Sequence, residues 1–578
     1  MRRTTWQARF FGTLTGLALM GGWVLGAQTS SPIFSTYLGG SAFDRGNAIA
    51  TNGVGSSYVV GQTRSPNFPV YRALQPLPPE DLTFPIDSFV SIFDPAGNLS
   101  YSSYFAVPII DYPLAVTAGP GGGFYLAGVQ EDLADTYAMV ASFNLLTRRV
   151  FYFNLGLGSR AEARGIATDP QGRIYVTGVQ FYPEPIFGAL LPRAWVAKLR
   201  PDGTALYFTV LDGAGYEVGN AIAVDGQGNV YIGGETHSRD FPVRGAAQGV
   251  YGGGLNDGFV AKLDSSGAVV YATYLGGGGS DEVKDILPGE GGSVYVAGRT
   301  TSSDFPLLRA RQSSLNGPAD LFLAKLGPDG RLVSSTYLGG RGDETAGRID
   351  GGPSGALYLA GSTTDTTGSA LEDFAQPGCT YNFIARLDPA DLGVLSSSCL
   401  PGAEIRDLAV DFLDHIHLTG QARAGLPVVR AFQPAPADGA DAFVTVLQPN
   451  RPPDCSAAFA SPASIWPPNG RLVPVAVRGV TDPEGDFVAI TVTAVRQDEP
   501  LSRAGAPDAT GIGTDGVSVR ADRAGGGDGR VYRLSFTATD PQGASCTGTV
   551  AVCVPHDQGQ GRTCGDGGGL FDSTAPRQ

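Results

Sequence analysis

Seven carboxylates recur at one place in the repeating pattern of this chain: Asp44, Asp111, Glu162, Glu217, Asp281 (followed by Glu282), Glu344 and Glu404. Each stands three to five residues before the central residue of a short apolar run, so one structural unit should present them all alike. Oxygen donors ringed about a common axis suit a hard cation such as calcium, or the polar groups of a ligand. The competing reading is that each acid caps its own loop by accepting backbone N–H bonds. A second acidic run, Asp482, Glu484 and Asp486 within Thr-Asp-Pro-Glu-Gly-Asp, has a spacing compatible with calcium, yet Pro-Glu-Gly is also ordinary turn chemistry. His415 and His417 share one strand face, as a metal pair would. His417, however, falls in a column otherwise filled by tyrosine, the place of a packed core residue. No Gly-x-Ser-x-Gly, His-Glu-x-x-His or phosphate-loop pattern occurs, so no catalytic residue is assigned.

The elements that must hold these acids repeat too. Tyr-x-x-Gly recurs at Tyr58/Gly61, Tyr125/Gly128, Tyr175/Gly178, Tyr231/Gly234, Tyr295/Gly298 and Tyr358/Gly361, and once more as His417/Gly420. A period of 50 to 67 residues marks an array of one supersecondary unit. One unit reads as four strands: Asn220–Asp225, then Val230–Gly234 after a Gly-Gln-Gly-Asn turn, then Phe259–Leu263, then Val269–Leu275 after Asp-Ser-Ser-Gly. Runs of β-branched and aromatic residues bounded by Gly, Asn, Asp and Ser are strand and hairpin signals. The third strand carries a large apolar residue in each unit: Phe89, Met139, Trp195, Phe259, Phe322, Phe383 and Phe443. A lone four-stranded meander has too little core to stand, so neighbouring units must stack. The expected architecture is all-β, a seven-bladed β-propeller over 28–447. Phe34-Ser-Thr-Tyr-Leu-Gly-Gly40 matches a fourth strand without its first three, and Asp441–Leu447 is a third strand without its fourth. That split predicts that the two ends complete one blade and close a ring.

Only 16% of the 578 residues are charged, while glycine (83) and proline (41) are abundant, a mix that suits short strands and tight turns. The net charge of −15 argues against nucleic acid or anionic lipid as the main partner. Arg2, Arg3 and Arg9 precede an apolar stretch from Phe10 to Leu25 and then Gly26-Ala27, the order of a signal peptide over 1–27. No later stretch is long and apolar enough to span a membrane, so a secreted or cell-surface protein is expected. Six cysteines fit an oxidising compartment.

The segments Ser35-Thr-Tyr-Leu-Gly-Gly40, Thr273-Tyr-Leu-Gly-Gly277, Thr336-Tyr-Leu-Gly-Gly340, Asn220–Asp225 and Ser303-Asp-Phe-Pro306 resemble the bacterial SBBP propeller repeat over roughly 34–447. The second and third units lack the Asp-Phe-Pro block. The resemblance implies an exported propeller, with no common catalytic activity and no active-site residues.

Beyond the Pro-rich linker 448–453, alternating strands over 454–554 predict a β-sandwich, followed by a Gly- and Gln-rich flexible tail, 555–578. Phe536-Thr-Ala-Thr-Asp-Pro-Gln-Gly-Ala-Ser-Cys546 resembles extracellular Ig-like modules of the hyalin-repeat type. In such modules an early cysteine bridges to the last strand, which matches Cys455–Cys546 and leaves Cys553–Cys564 to close the tail. A hairpin pairing Leu387 with Val394 brings Cys379 near Cys399 for a third bridge. Six cysteines allow 15 connectivities, so this set rests on register and resemblance.

The expected function is an extracellular binding or scaffold protein, engaging a protein or carbohydrate ligand on one rim. There the second-to-third loops are long and varied and the acids recur. No cofactor is expected apart from calcium. The alternative is a secreted propeller enzyme acting on glycans or another polymer. Exchanging Glu217, Asp281 and Glu344 for alanine should, on this reading, weaken binding and leave the ring folded.

Overall fold

The computed structural model describes residues 30–78, 87–105, 111–131, 135–144, 149–155, 160–183, 190–364, 382–437, 439–500, 507–524, 528–541, 543–556 and 564–575. The expected signal peptide lies outside them. Among the described residues there is no α-helix, and no helix long and apolar enough to cross a membrane.

The described residues between 30 and 449 form seven four-stranded antiparallel sheets. In the fourth sheet, Glu217–Val224, Val230–Thr236, Asp257–Leu263 and Val269–Leu275 follow in chain order from first strand to outer strand. The first strands of the other sheets are Asp44–Thr51, Asp111–Ala118, Ala161–Thr168, Asp281–Pro288, Glu344–Gly351 and Ala403–Val410. Successive first strands pack side by side, and Asp44–Thr51 packs against Ala403–Val410, so the series closes on itself. Together the first strands line one channel of about 490 Å³. The seventh sheet takes its outer strand from the other end of the chain: Ser30–Leu38 pairs with Asp441–Pro449, with Tyr37 opposite Phe443.

The register explains Tyr-x-x-Gly. The glycine of each copy lies opposite the large residue of the third strand: Gly61 faces Phe89, Gly128 Met139, Gly178 Trp195, Gly234 Phe259, Gly298 Phe322, Gly361 Phe383 and Gly420 Phe443. All seven large side chains are buried. Each fully buried one contributes roughly 1.5–3 kcal/mol. On its other side the glycine meets a first strand that carries an extra residue, Asn47 in the first sheet and Asn220 in the fourth. This β-bulge drives a carbonyl inward, so a Cβ on Gly61 or Gly234 would collide with the oxygen of Arg45 or Val218.

The C-terminal residues form two further sheets. One contains Phe459–Ser461, Leu472–Arg478, Ala509–Thr510 and Gly516–Arg520; the other contains Ala489–Gln497, Gly529–Thr539, Ser545–Pro555 and Phe571–Asp572. They share one core of Val475, Val477, Val517 and Val519 against Val492, Leu534, Phe536 and Val552. The tail expected to be flexible instead contributes a strand, Phe571–Asp572 beside Arg496 and Gln497, and buries Ser573. The linker is tied down as well: Asn450 donates to Asp540 (2.7 Å) and Arg451 pairs with Glu484 (2.6 Å).

Disulfides join Cys455 to Cys546 and Cys553 to Cys564, with Cα separations of 6.0 and 5.8 Å. Leu387 does lie opposite Val394 and Cys399 is disulfide-bonded. Its expected partner, Cys379, lies outside the described residues.

Candidate functional site

The seven acids do not form one ring. Asp44, Asp111, Glu217, Asp281 and Glu344 occupy the first position of their strands, opposite Thr63, Gln130, Thr236, Thr300 and Thr363. In the third and seventh sheets that position holds Ala161 and Ala403, so Glu162 and Glu404 stand one residue further on and point to the other face.

Asp44, Glu217, Asp281 and Glu344 are buried and bind their own loops. Asp44 accepts from Gly40 N–H and Ser65 Oγ–H, both at 2.8 Å. Asp281 accepts from Gly277 N–H (2.8 Å) and Ser302 Oγ–H (2.7 Å). Glu217 accepts from Gly213 N–H (3.0 Å), Thr236 (2.8 Å) and Ser238. Glu344 accepts from Thr363 (2.7 Å) and Gly340 N–H (3.2 Å). Burial pushes Asp44 up to about 6 and Glu344 up to about 7 despite these bonds. Such groups hold loops to sheets and offer no exposed oxygen to a ligand. Exchanging Glu217, Asp281 and Glu344 for alanine would therefore strip loop donors of their acceptors, contrary to the expectation that the ring would be indifferent.

Glu162 and Glu404 reach a different place, the mouth of the channel. There a cavity of about 720 Å³ opens, lined by Arg45, Glu162, Lys284, Arg348, Glu404 and Arg406 among others. Two of these cations, Lys284 and Arg406, stand at a position the sequence reading passed over, the bulged residue of the first strand. In the third, fifth and seventh sheets it is Arg164, Lys284 and Arg406. A bulge re-aims the side chain it carries, and here it aims toward the axis. The residue two places earlier supplies the counter-charge: Arg164 pairs with Glu162 (2.9 Å), Lys284 with Glu282 (2.6 Å) and Arg406 with Glu404 (2.8 Å). Asn220 extends the belt between sheets, accepting from Arg164 (3.2 Å) and donating to Glu282 (3.0 Å). In the first sheet Arg45 donates to Asn47 (3.0 Å) and Gln62 (2.7 Å). The signal was legible: Glu-x-Arg or Glu-x-Lys ahead of the Tyr-x-x-Gly strand. The mouth is a belt of alternating charges and amides, suited to polar ligands with donors and acceptors of their own.

Deeper in the channel, Asp285, Asp350 and Asp407 act between sheets. Asp285 accepts from Ile349 N–H (2.9 Å), Asp350 from Val410 N–H (2.7 Å) and Asp407 from Ile49 N–H (2.8 Å). Burial raises all three, Asp350 to about 7 and Asp407 to about 6, with Arg348 opposing the rise at Asp285 and Asp407.

His417 is buried, with Nδ1 2.8 Å from Ser57 Oγ across the ring closure and Nε2 3.3 Å from Asp411. The same bond exists in other sheets, where Tyr175 and Tyr231 donate to Asp169 (2.9 Å) and Asp225 (3.1 Å). His417 thus replaces a core tyrosine. Ser57 is fully buried, so this serine, histidine and aspartate cannot meet a substrate. Against the upward push of burial, hydrogen bonds from His415 and His417 hold Asp411 well below the usual carboxylate range. Asp482 accepts the N–H groups of Glu484 (2.9 Å) and Asp486 (3.1 Å), a turn, while Glu484 turns away to Arg451. Among the described residues, no group of three His, Cys, Asp or Glu side chains is placed to hold a metal ion.

A beta-propeller repeat model, SBBP, matches residues 206–242, which run from the outer strand of the third sheet into the fourth. No curated protein matches the chain. Among solved structures, similarity extends to a protein of unknown function from Dyadobacter fermentans DSM 18053 (8% identity, 73% of this chain and 99% of that one, TM-score 0.38). It extends also to U3-55K (10%, 72% and 100%, 0.41) and to the WD40 beta propeller domain of Doa1 (9%, 72% and 97%, 0.39). The repeat match and the ring of sheets agree on one architecture. The chain folds as a β-propeller and carries a β-propeller repeat at 206–242.

Proposed function

We propose that the protein is an exported seven-bladed β-propeller carrying a C-terminal Ig-like β-sandwich. It serves as an extracellular scaffold and binds a protein or carbohydrate ligand at one end of its central channel. The observation that carries the reading is the mouth itself. The ring holds a polar opening of about 720 Å³ in which Glu162, Lys284, Glu404 and Arg406 are held by ion pairs within their own strands. Binding sites combine a preformed concavity with a few placed polar groups. The disulfides support an oxidising compartment.

The test is capture on glycan and surface-protein arrays by the wild type and by a variant with Arg45, Glu404 and Arg406 changed to alanine. Arg406 and Glu404 are 36% and 48% exposed, so the melting temperature should hold while capture falls. Equal capture by both proteins would remove the mouth as the binding site.

A further inference from the structure

The outer edges of the sheets are not treated alike. In four of them the chain itself adds a short strand to the edge. Tyr71 exchanges two backbone hydrogen bonds with Ser102 (both 2.8 Å), Arg244 with Ala272 (2.9 and 2.8 Å), Leu308 with Ser335 (3.3 and 2.8 Å) and Val429 with Ser35 (3.0 and 2.8 Å). The added segments are alike: Asn67-Phe-Pro-Val-Tyr71, Asp240-Phe-Pro-Val-Arg244, Asp304-Phe-Pro-Leu-Leu308 and Leu426-Pro-Val-Val429. The residue they bridge is always small, Ser or Ala, which lets a second backbone come close.

In the third sheet the equivalent residue is Phe208, opposite Ala197 as Ala272 is opposite Ala261. Among the described residues nothing pairs with the outer edge of Ala205–Leu211. The connection that would carry such a segment is short, residues 184–189 against 237–256 in the next sheet. Leu206, Phe208 and Val210 stand 41%, 41% and 38% exposed along this edge. In the second sheet Phe151 is exposed as well. It holds the register position of Tyr207, the residue that packs over the turn glycine Gly267 of its neighbour, and it is half exposed. Below the edge, Trp195 stacks on Phe208 at 5.8 Å, and its buried indole N–H has no acceptor among the described residues.

We propose that this groove between the second and third sheets docks an extended apolar polypeptide segment of a partner protein. The segment adds to the edge of Ala205–Leu211 by backbone pairing at Phe208 and Val210, as the chain's own loops do elsewhere. An open edge strand with apolar flanks is a template for strand addition. The internal loops identify the chemistry of the occupant, an extended run with proline directly ahead of an aliphatic residue and, in three of the four, a second apolar residue after it. Trp195 holds the register position of Phe259 and stacks on Phe208 of its own sheet, where Phe259 packs on the loop residue Phe241 at 4.8 Å. The occupant therefore needs no aromatic anchor. This site is separate from the channel mouth.

The probe is a synthetic peptide copying residues 306–312, Pro-Leu-Leu-Arg-Ala-Arg-Gln. It is titrated against the full mature protein, with Trp195 fluorescence and calorimetry as readouts. A second peptide, N-methylated at the residue corresponding to Leu308, cannot pair its backbone and should bind about tenfold more weakly or not at all. Val210→Pro removes an outward N–H and no bond within the sheet, so it should cause a similar loss at unchanged melting temperature. Absence of binding at millimolar peptide overturns the proposal, as does binding that N-methylation leaves unchanged. A concentration-dependent dimer in sedimentation that Val210→Pro abolishes also overturns it, by giving the edge to a second copy of the chain.

Discussion

Asp257 and Asp281 close from two neighbouring sheets over the Cα of Gly276. A Cβ there would lie 2.9 Å from Cγ of Asp257 and 2.8 Å from Oδ2 of Asp281. Both side chains are fully buried, and each keeps one carboxylate oxygen without a hydrogen-bond partner among the described residues. Burial, with the charge of Asp281 adding to it, pushes Asp257 up to about 7. The relationship recurs at Asp441 and Asp44 over Gly39, and at Asp320 and Glu344 over Gly339. Asp257 and Asp281 each hold a loop through the other oxygen, and Asp320 and Glu344 accept bonds on both, so the repeat places two like charges together in order to anchor two loops.

The first prediction is a pH dependence. These acids titrate higher in the folded ring than the value of about 4 expected unfolded. Their folded forms bind more protons, so their favourable contribution is complete below about pH 4 and is lost as pH rises through 6 to 7. The melting temperature should be higher at pH 5 than at pH 8. Asp411 works in the opposite sense and loses its contribution as the solution becomes strongly acidic. A melting temperature flat from pH 5 to pH 8 would contradict the shifts.

Asp257→Asn should flatten that dependence. The amide keeps an acceptor for Gly252 N–H (2.6 Å) and offers a donor to the orphaned oxygen of Asp281. The expected gain is on the order of 1–3 kcal/mol at pH 8 and little at pH 5, read from denaturant melts.

Gly276→Ala should destabilise the ring by about 1–3 kcal/mol, because the methyl group meets both carboxylates and neither can retreat without releasing its loop. Gly226→Ala, at a turn with open space around the added carbon, is the control and should cost little.

Ring closure predicts strong dependence on the N-terminal strand. Phe34 is fully buried and stacks on Phe93 of the first sheet at 5.9 Å, so Phe34→Ala should cost about 3–5 kcal/mol. Deleting residues 28–40 should lower the melting temperature further. An unchanged melt after deletion would show that the ring does not need the split sheet.

The disulfide Cys455–Cys546 spans 91 residues and should contribute on the order of 4–5 kcal/mol in the chain-entropy model. Changing both cysteines to serine should lower the transition seen by Trp466 in the C-terminal sheets. The transition seen by Trp195 in the ring should stay where it is.

The sequence by itself determined the unit, its four strands and the split that closes the ring. That information is local: a large apolar residue every repeat, a glycine opposite it and a turn on either side. Phe89 facing Gly61 and Phe443 facing Gly420 are the same contact read twice. Only the tertiary structure decided which acids reach solvent. Glu162 and Glu217 look equivalent by distance from the apolar run, yet Ala161 holds the capping position in the third sheet, so Glu162 faces the channel mouth while Glu217 is buried in its loop. Side chains alternate along a strand, so an offset of one residue turns an anchor into a surface group. The bulge that aims Arg164, Lys284 and Arg406 at the axis leaves the apolar spacing after it intact, and for that reason it shows only once the strands are paired.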